Sequence, residues 1–320
     1  MFFEGDEFSP MVETEGFLRS ASQENNLEVL LFRLEDTSSY HRHFGANGQD
    51  LLQSHEGENF TIKRITNPED PALKQAHDLF WQEFGYGTDY FSLMQELAPD
   101  KNLAYHVILN DEEKVVAASN SGYLSLPNVS ESILAVWLMV VDKEHRGKKL
   151  VQELYQDIYR FGLERVSAEK TKLKAIVGEA SCKQLEKIEY VLNRSEIDRK
   201  RVYYQDQNEI VHEVPYVSPP LKWNIHSGVP EEEAQPNRLM LRLLGGRQSM
   251  PASELLEIIA RIYEDSYAPV RTYFSDQTGF EQATGIFNGY FKRIEKELAE
   301  AKDGEVFLLS AEERKQRLGK

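Results

Sequence analysis

A basic turn between an apolar strand and an amphipathic helix is the part of the sequence that most clearly predicts chemistry. Ile133–Val141 is an unbroken apolar run, which is typical of a strand buried on both faces. Arg146–Lys149 (RGKK) follows after a short polar turn, and apolar residues then recur at helical spacing from Leu150. The first amides of a helix lack internal partners and carry partial positive charge. We therefore predict a phosphate or pyrophosphate site at this turn. The alternative is a helix start with solvated cations.

The elements around this turn predict how the site is built. Alternating or apolar segments predict strands at Phe60–Thr66, Ala104–Leu109, Val115–Leu126 and Lys174–Gly178. Two helices are expected between the first two strands, the second of them short and at Tyr90–Leu97. Short turns between successive strands predict an antiparallel meander, whereas the helix after Lys149 predicts a parallel pair. Ligands bind where neighbouring strands diverge at their carboxyl ends. The sequence therefore predicts a crevice beside the basic turn.

This order of elements, together with the stretch from Val140 to Lys148, resembles the GNAT superfamily of N-acyltransferases. The family motif Arg/Gln-x-x-Gly-x-Gly/Ala maps its first residue to Arg146 and its two small residues to Lys149 and Val151, neither of which is small. The resemblance covers about residues 60–223. It implies an α/β (α+β) fold with a mixed, mostly antiparallel sheet and flanking helices. It also implies acetyl-CoA as co-substrate and no metal.

The resemblance implies a role for each part of this unit. Backbone groups of the strand would hold the pantetheine arm, and the turn and first helical residues would hold the pyrophosphate of coenzyme A. The implied cofactor-binding residues are Met139, Val140, Val141, Arg146, Gly147, Lys148, Lys149, Leu150 and Val151. A backbone amide near Val140 would polarise the thioester carbonyl.

The resemblance also implies a general acid, and the position of one glutamate makes it a candidate general base. Arg199–Gln205 resembles a late family helix whose tyrosine protonates the leaving sulfur, so Tyr203 and then Tyr204 are the candidate acids, with ordinary packing as the alternative. Residues 216–221 resemble the strand that follows this helix. Glu179 ends the strand Lys174–Gly178 and is the candidate base, with a helix-capping role as the alternative.

Composition bounds the class of protein. The net charge of −16 argues against general binding to nucleic acid or anionic membranes, and favours either a cationic acceptor or simple solubility. One cysteine, Cys182, excludes an internal disulfide framework, fits a reducing cytoplasm and is expected to be a structural thiol. No apolar run reaches the length of a membrane span. His41 and His43 lie in a loop-like stretch and are expected to form a surface cluster rather than a metal site.

Three segments are expected. Residues 1–58 form an N-terminal extension, 59–224 the acyltransferase domain, and 225–320 a strand and helices that pack on the core or form a homodimer contact. Arg238–Leu244 is expected to be an edge or last strand. An aromatic cluster is expected to pack in the core, or else to line an acceptor pocket; it contains Trp81, Phe84, Tyr86, Tyr90 and Phe91.

The sequence thus predicts a cytoplasmic N-acetyltransferase that transfers acetyl from acetyl-CoA to a primary amine of a small molecule or protein. Its alternative is a catalytically inactive protein of the same fold that binds or regulates. The bulky Lys149 and Val151 motivate that alternative.

Overall fold

Helices cover both faces of one large sheet in the computed structural model of this chain. The structure describes residues 31, 34–35, 38–45, 49–55, 57–84, 102–127, 130–181, 199–218, 223–224, 229–230, 237–273 and 277–318. The strands are β1 (Tyr40–His43), β2 (Gln49–Ser54), β3 (Asn59–Ile65), β4 (Leu103–Leu109), β5 (Val115–Ser125), β6 (Glu131–Val141), β7 (Lys172–Ser181), β8 (Lys200–Asp206), β9 (Val211–Glu213), β10 (Trp223–Asn224), β11 (Val229–Pro230), β12 (Asn237–Leu243), β13 (Ser249–Pro251) and β14 (Ala301–Leu309). The α-helices are α1 (Pro71–Phe84), α2 (Leu150–Glu169), α3 (Ala252–Tyr273), α4 (Gln277–Leu298) and α5 (Ala311–Leu318).

The sheet is mixed and mostly antiparallel, which confirms the predicted fold class. Its order is β1-β2-β3-β4-β5-β6-β7-β12-β8-β14-β13, with β9 paired to β8, while β10 and β11 pair separately. Among the described strands, β6 and β7 are the parallel pair, joined by α2 as predicted. The predicted meander is confirmed in β4, β5 and β6, and β3 pairs antiparallel with β4.

Helix α2 covers one face of the sheet, and α1, α3 and α4 cover the other. The periodicity of α2 places Leu154 and Ile158 against the sheet, where both are fully buried. On the opposite face, Phe80 of α1 and Ile258 of α3 are equally buried. The edge where β6 and β7 diverge therefore lies between two helical layers.

A β-bulge at Trp137 separates the two halves of β6. Asn120 pairs with Leu138, but the next residue of β5, Ser121, pairs with Val136, so Trp137 is an extra residue on β6. Because side chains alternate between faces, one extra residue reverses which positions face α2. Val136 packs on the α2 side before the bulge, and Met139 packs there after it.

Several expectations are corrected by the described elements. Residues 200–206 form a strand, β8, so the predicted helix there is wrong. Residues 214–218 lack regular structure, so no strand begins at Tyr216. Strand β12 lies between β7 and β8 rather than at an edge. His41 and His43 belong to β1 and not to a loop.

Other predictions fall on residues outside this description. They include Cys182, the second helix expected at Tyr90–Leu97, and Tyr86, Tyr90 and Phe91 of the aromatic cluster. The other two members of that cluster, Trp81 and Phe84, are exposed on α1 rather than packed in the core. No helix in the described part of the chain has the length and apolar character needed to cross a membrane.

Candidate functional site

Strands β6 and β7 separate at the place where the crevice is predicted. Their parallel pairing ends at Val136 and Gly178. Beyond that point β6 continues to Val141 beside β5, and β7 continues to Ser181 beside β12. Residues 137–141 of β6 thus have no strand partner on the side facing β7 among the described strands. That open edge includes Met139, Val140 and Val141, the residues predicted to hold a pantetheine arm.

The helix that follows the basic turn begins without a side-chain cap. Lys149 occupies the N-cap position in the left-handed conformation (φ 59°) and makes no capping hydrogen bond. A usual N-cap is extended and accepts a bond through Ser, Thr, Asp or Asn. Gly147 is also left-handed (φ 90°), a conformation that glycine adopts without steric cost.

Several amide groups at this helix start lack a protein acceptor. The amide of Gln152 bonds the Lys149 carbonyl, but none of the described residues accepts from the amides of Gly147, Lys149, Leu150 or Val151. The first amides of a helix point along its axis, away from the helix body. The turn therefore offers an uncapped cluster of donors.

The three cations of the turn differ in their partners. Arg146 is 2.9 Å from Glu83 and its side chain is 49% exposed. Lys148 pairs with Glu58. Lys149 is exposed and has no carboxylate partner in the described part of the chain. Lys149 is thus the cation of this turn whose charge is available to an anion.

A groove of about 220 Å³ lies at the same corner, between α1 and the end of β6. Its lining residues carry both signs of charge: Leu79, Gln82, Glu83, Lys114, Val140, Val141, Asp142, Lys143, Glu144 and Arg146. Asp142 shapes the turn by accepting a 2.9 Å bond from the Glu144 amide, which lowers the pKa of Asp142. The turn is therefore open to solvent beside a groove.

Glu179, the predicted base, lies just beyond the end of the β6–β7 pairing. Its side chain points to the face that α3 covers, where Tyr216 and Ser218 donate hydroxyl bonds to its two oxygens and Asn237 Nδ2 is 3.5 Å away. No described cation pairs with it. Burial raises the pKa of Glu179, and the hydroxyl and amide donors only partly offset this. A carboxylate with a raised pKa is suited to accept a proton near neutral pH.

Tyr203 and Tyr204 are not brought to this crevice. Strand β12 lies between β7 and β8, so both tyrosines are about 10 Å from β7 across two strand spacings. Tyr203 stacks on Phe307 of β14, and Tyr204 is 3.4 Å from Glu297 of α4. Burial and then the charge of Glu297 raise the pKa of Tyr204 to about 12, which makes it a weaker acid.

Arg199 occupies the α2 side of the crevice and was not singled out by the sequence. It is 8% exposed, and its guanidinium lies against Gly178. One terminal nitrogen donates to Tyr155 of α2, and the other is 3.5 Å from the Val177 carbonyl. A Cβ atom at position 178 would lie 1.9 Å from this guanidinium, so any larger residue there would require Arg199 to move.

A buried Ser121–His106–Asp157 row was also missed. His106 Nδ1 is 2.7 Å from Asp157, and Nε2 is 2.8 Å from the Ser121 hydroxyl. Arg42 and Arg64 bond Asp157 at 2.8 and 3.1 Å. Burial alone would raise the pKa of Asp157, but His106 and the two arginines together hold this pKa far below its usual range. Burial lowers the pKa of His106, which favours the neutral ring.

This row resembles the geometry of a nucleophilic triad but lacks access. Ser121 and His106 have no exposed surface. A substrate carbonyl cannot approach a hydroxyl that is completely enclosed by protein. The row therefore binds β4 and β5 to α2 and positions the sheet under the crevice.

Comparison with known proteins finds similarity at the level of structure. No protein-family model matches the chain, and no curated protein matches it. Solved structures of GNAT acetyltransferases match part of this chain at low sequence identity.

Three solved structures illustrate this similarity. Arabidopsis thaliana NAA60, in complex with acetyl-CoA, has 9% identity and a TM-score of 0.40 over 58% of this chain and 99% of its own. An aminoglycoside acetyltransferase from an uncultured soil metagenomic sample has 16% identity and a TM-score of 0.35 over 42% of this chain and 86% of its own. A GNAT-family acetyltransferase of Staphylococcus aureus has 11% identity and a TM-score of 0.36 over 57% of this chain and 98% of its own.

Proposed function

We propose that the protein transfers an acyl group, in its simplest form acetyl, from coenzyme A to a primary amine. The observation that carries this proposal is the juxtaposition of two features along one strand. The open edge of β6 begins at Trp137, and the uncapped helix start lies just after the same strand ends. A thioester with a long polar arm and a diphosphate matches an open edge that leads to a cluster of amides and a free lysine.

Each step of the proposed reaction has a candidate group. The amides of residues 147 and 149–151 and the Lys149 ammonium would hold the diphosphate, while backbone groups of Met139, Val140 and Val141 would bond the pantetheine arm. A backbone amide near Val140 would stabilise the oxyanion. Glu179 would take a proton from the amine as nitrogen attacks the thioester carbon. The C–S bond then breaks, and the sulfur leaves as thiolate or thiol.

The position of β8 bears on the proton that the sulfur receives. Tyr203 and Tyr204 remain candidates from the resemblance, but their distance from the crevice argues against direct donation. A Tyr203→Phe/Tyr204→Phe double variant is therefore expected to release free thiol at the wild-type rate. A large loss of thiol release in a variant that still binds acyl-CoA would restore the tyrosines as acids.

Ligand-induced stabilisation tests the proposal. A specific ligand at a hundredfold excess over Kd adds about 2.7 kcal/mol to the free energy of unfolding. We expect acetyl-CoA to raise the melting temperature and an amine panel to then release free CoA thiol. Absence of any shift at millimolar acyl-CoA would contradict the proposal.

A second candidate is a protein of this fold that binds without catalysis. It is favoured by Arg199, which fills the α2 side of the crevice, and by Tyr203 and Tyr204 lying elsewhere. It predicts a melting shift with acyl-CoA but no thiol release with any amine. Thiol release that depends on Glu179 would exclude it.

A further inference from the structure

Arg199 is a buried cation at the point where β6 and β7 stop pairing. The guanidinium lies over Gly178, and the Cβ position of Gly178 is 3.0 Å from the Val136 carbonyl, the last paired residue of β6. The guanidinium carbon of Arg199 is 5.3 Å from the centre of the Tyr155 ring. The guanidinium therefore lies beside the last paired residues of the two strands and is packed against α2.

None of the described residues around Arg199 balances its charge. Its neighbours are a phenol and a carbonyl, both neutral, and its Nε is buried with no hydrogen-bond partner among the described residues. No described carboxylate forms an ion pair with it. A buried charge is strongly unfavourable unless it is paired. By comparison, Arg42, whose side chain is 7% exposed, has two carboxylate partners, Asp50 and Asp157.

We propose that Arg199 binds a carboxylate at the far end of the acyl chain, so that the donor is a dicarboxylic acyl-CoA such as the succinyl or malonyl thioester. This inference rests on the proposed function and narrows its donor. In this proposal the acyl group would reach the guanidinium from the point where β6 and β7 stop pairing, at Val136 and Gly178. An arginine fork bonds a carboxylate through two parallel N–H groups, and its unused Nε is one of the donors for that geometry.

The reaction remains an ordinary transfer to an amine. The amine nitrogen forms a bond to the thioester carbon, the C–S bond breaks, and the amine proton passes to Glu179 while sulfur leaves as thiolate. The distal carboxylate takes no part in bond formation. It positions the carbonyl and leaves in the product as an amide that carries a free acid.

Donor binding tests the inference with a matched pair of four-carbon chains. Succinyl-CoA and butyryl-CoA differ mainly in the terminal carboxylate. Titration calorimetry on the full chain at fixed pH and salt should give a Kd at least tenfold lower for succinyl-CoA. Arg199→Gln should bring the two Kd values within about threefold of each other by weakening succinyl-CoA alone.

Two further variants make the result specific. Arg261→Gln removes a partly exposed arginine of α3 that pairs with Glu264 and should leave the succinyl-to-butyryl ratio unchanged. Arg199→Lys keeps the charge but not the two parallel N–H groups, and should retain part of the preference for succinyl-CoA. It replaces Arg199→Gln as the test if circular dichroism shows that Arg199→Gln does not fold. The ratio of the succinyl-CoA and butyryl-CoA Kd values of wild type is measured without any substitution, so it tests the inference whether or not the variants fold.

The outcomes separate the two proposals. Equal affinity of wild type for the two donors, or a preference that survives Arg199→Gln, overturns the dicarboxylic donor and leaves the acyltransferase assignment intact. Failure of wild type to bind CoA, acetyl-CoA, butyryl-CoA and succinyl-CoA overturns both.

Discussion

Lys149 combines a left-handed backbone with a free positive charge at the start of α2. A non-glycine residue in that conformation costs about 1 kcal/mol, and neither a capping bond nor an ion pair with a described residue compensates it. Glycine would relieve the strain but would remove the charge. An anion bound at this helix start would pair with the Lys149 charge and offset this cost.

The first prediction concerns the charge of Lys149. Lys149→Gln should weaken acyl-CoA binding about fivefold, the effect of about 1 kcal/mol, because one cation beside a helix N-terminus is lost. Calorimetric titration at two salt concentrations measures this. Lys170→Gln is the matched control, since Lys170 is also left-handed and ends the same helix. Equal effects of the two substitutions would contradict an anion site at the N-terminal end.

The second prediction concerns Glu179. Glu179→Gln should lower kcat by about 10²–10⁴ while the Kd for acyl-CoA changes little, because the general base is removed and the binding groups are kept. The wild-type rate should rise with pH through the raised pKa of Glu179. The exposed Glu305→Gln on β14 is the control. A Glu179→Gln variant with wild-type kcat would exclude this base.

Stability gives an independent readout for Glu179. Its folded pKa is raised, so the stability that the protonated form contributes is present below the unfolded pKa near 4.3 and is lost as pH rises through the folded pKa. The Gln variant should therefore be at least as stable as wild type at pH 8, although it is inactive. Chemical denaturation at pH 5 and pH 8 measures this difference.

At the scale of elements, α2 is attached to the sheet by charge as well as by apolar packing. Asp157 of α2 bonds Arg42 of β1, Arg64 of β3 and His106 of β4. With a neutral His106, the two arginines balance Asp157 and Asp50. The helix start that would hold the diphosphate is thereby fixed relative to three strands.

The third prediction concerns this attachment. Asp157→Asn should lower the free energy of unfolding by about 3–5 kcal/mol, because it leaves two arginines beside a buried position without their shared partner. Chemical denaturation at pH 7 measures it. Glu164→Gln, whose side chain is 61% exposed and also pairs with Arg64, should cost less than about 1 kcal/mol. A similar small loss in both variants would contradict the role given to Asp157.

Local patterns explain which elements the sequence predicted. The helices and the meander follow from apolar periodicity and short turns, and these are properties of neighbouring residues. The residue types of Val202, Tyr203 and Tyr204 favour a strand. The motif resemblance indicates a helix at the same residues, and for that reason β8 is not predicted. The position of β12 depends on pairing with β7 far earlier in the chain, for which no local pattern exists.

The same distinction applies to the site. The basic turn and Glu179 were predicted because each lies at the end of an apolar strand. Ser218 and Asn237 bond Glu179 from 39 and 58 residues away, so their spacing carried no signal. The motif resemblance puts Arg199 at the start of a helix, whereas its burial over Gly178 depends on tertiary packing that no local pattern indicates.

At the scale of the whole molecule, the C-terminal segment completes the sheet. Strand β12 lies between β7 and β8, and β14 covers the other side of β8. Apolar residues of α3 and α4 share one core with β5, β6 and β7. We therefore propose that residues 237–309 fold together with the strands that precede them.

The fourth prediction follows from this arrangement. A chain that ends at residue 224, the expected end of the acyltransferase domain, should lack a cooperative melting transition and should be cleaved rapidly by protease. It would expose the outer edge of β7 and the apolar surface under α3. A chain that ends at residue 310 lacks only α5 and the tail and should melt cooperatively. Cooperative melting of the shorter chain would show that the C-terminal segment is dispensable.

The central place of β12 also bears on how the protein is made. Strand β7 leaves the ribosome well before β12, its neighbour on the side away from β6. At a synthesis rate of about 5–20 residues per second, the edge of β7 that pairs with β12 is exposed for seconds without its native partner. An unpaired strand edge can join the edge of another chain. The yield of active protein should therefore depend on chaperones that bind nascent chains. It should also rise when translation is slowed at codons beyond β12, because β12 has then emerged and can pair with β7.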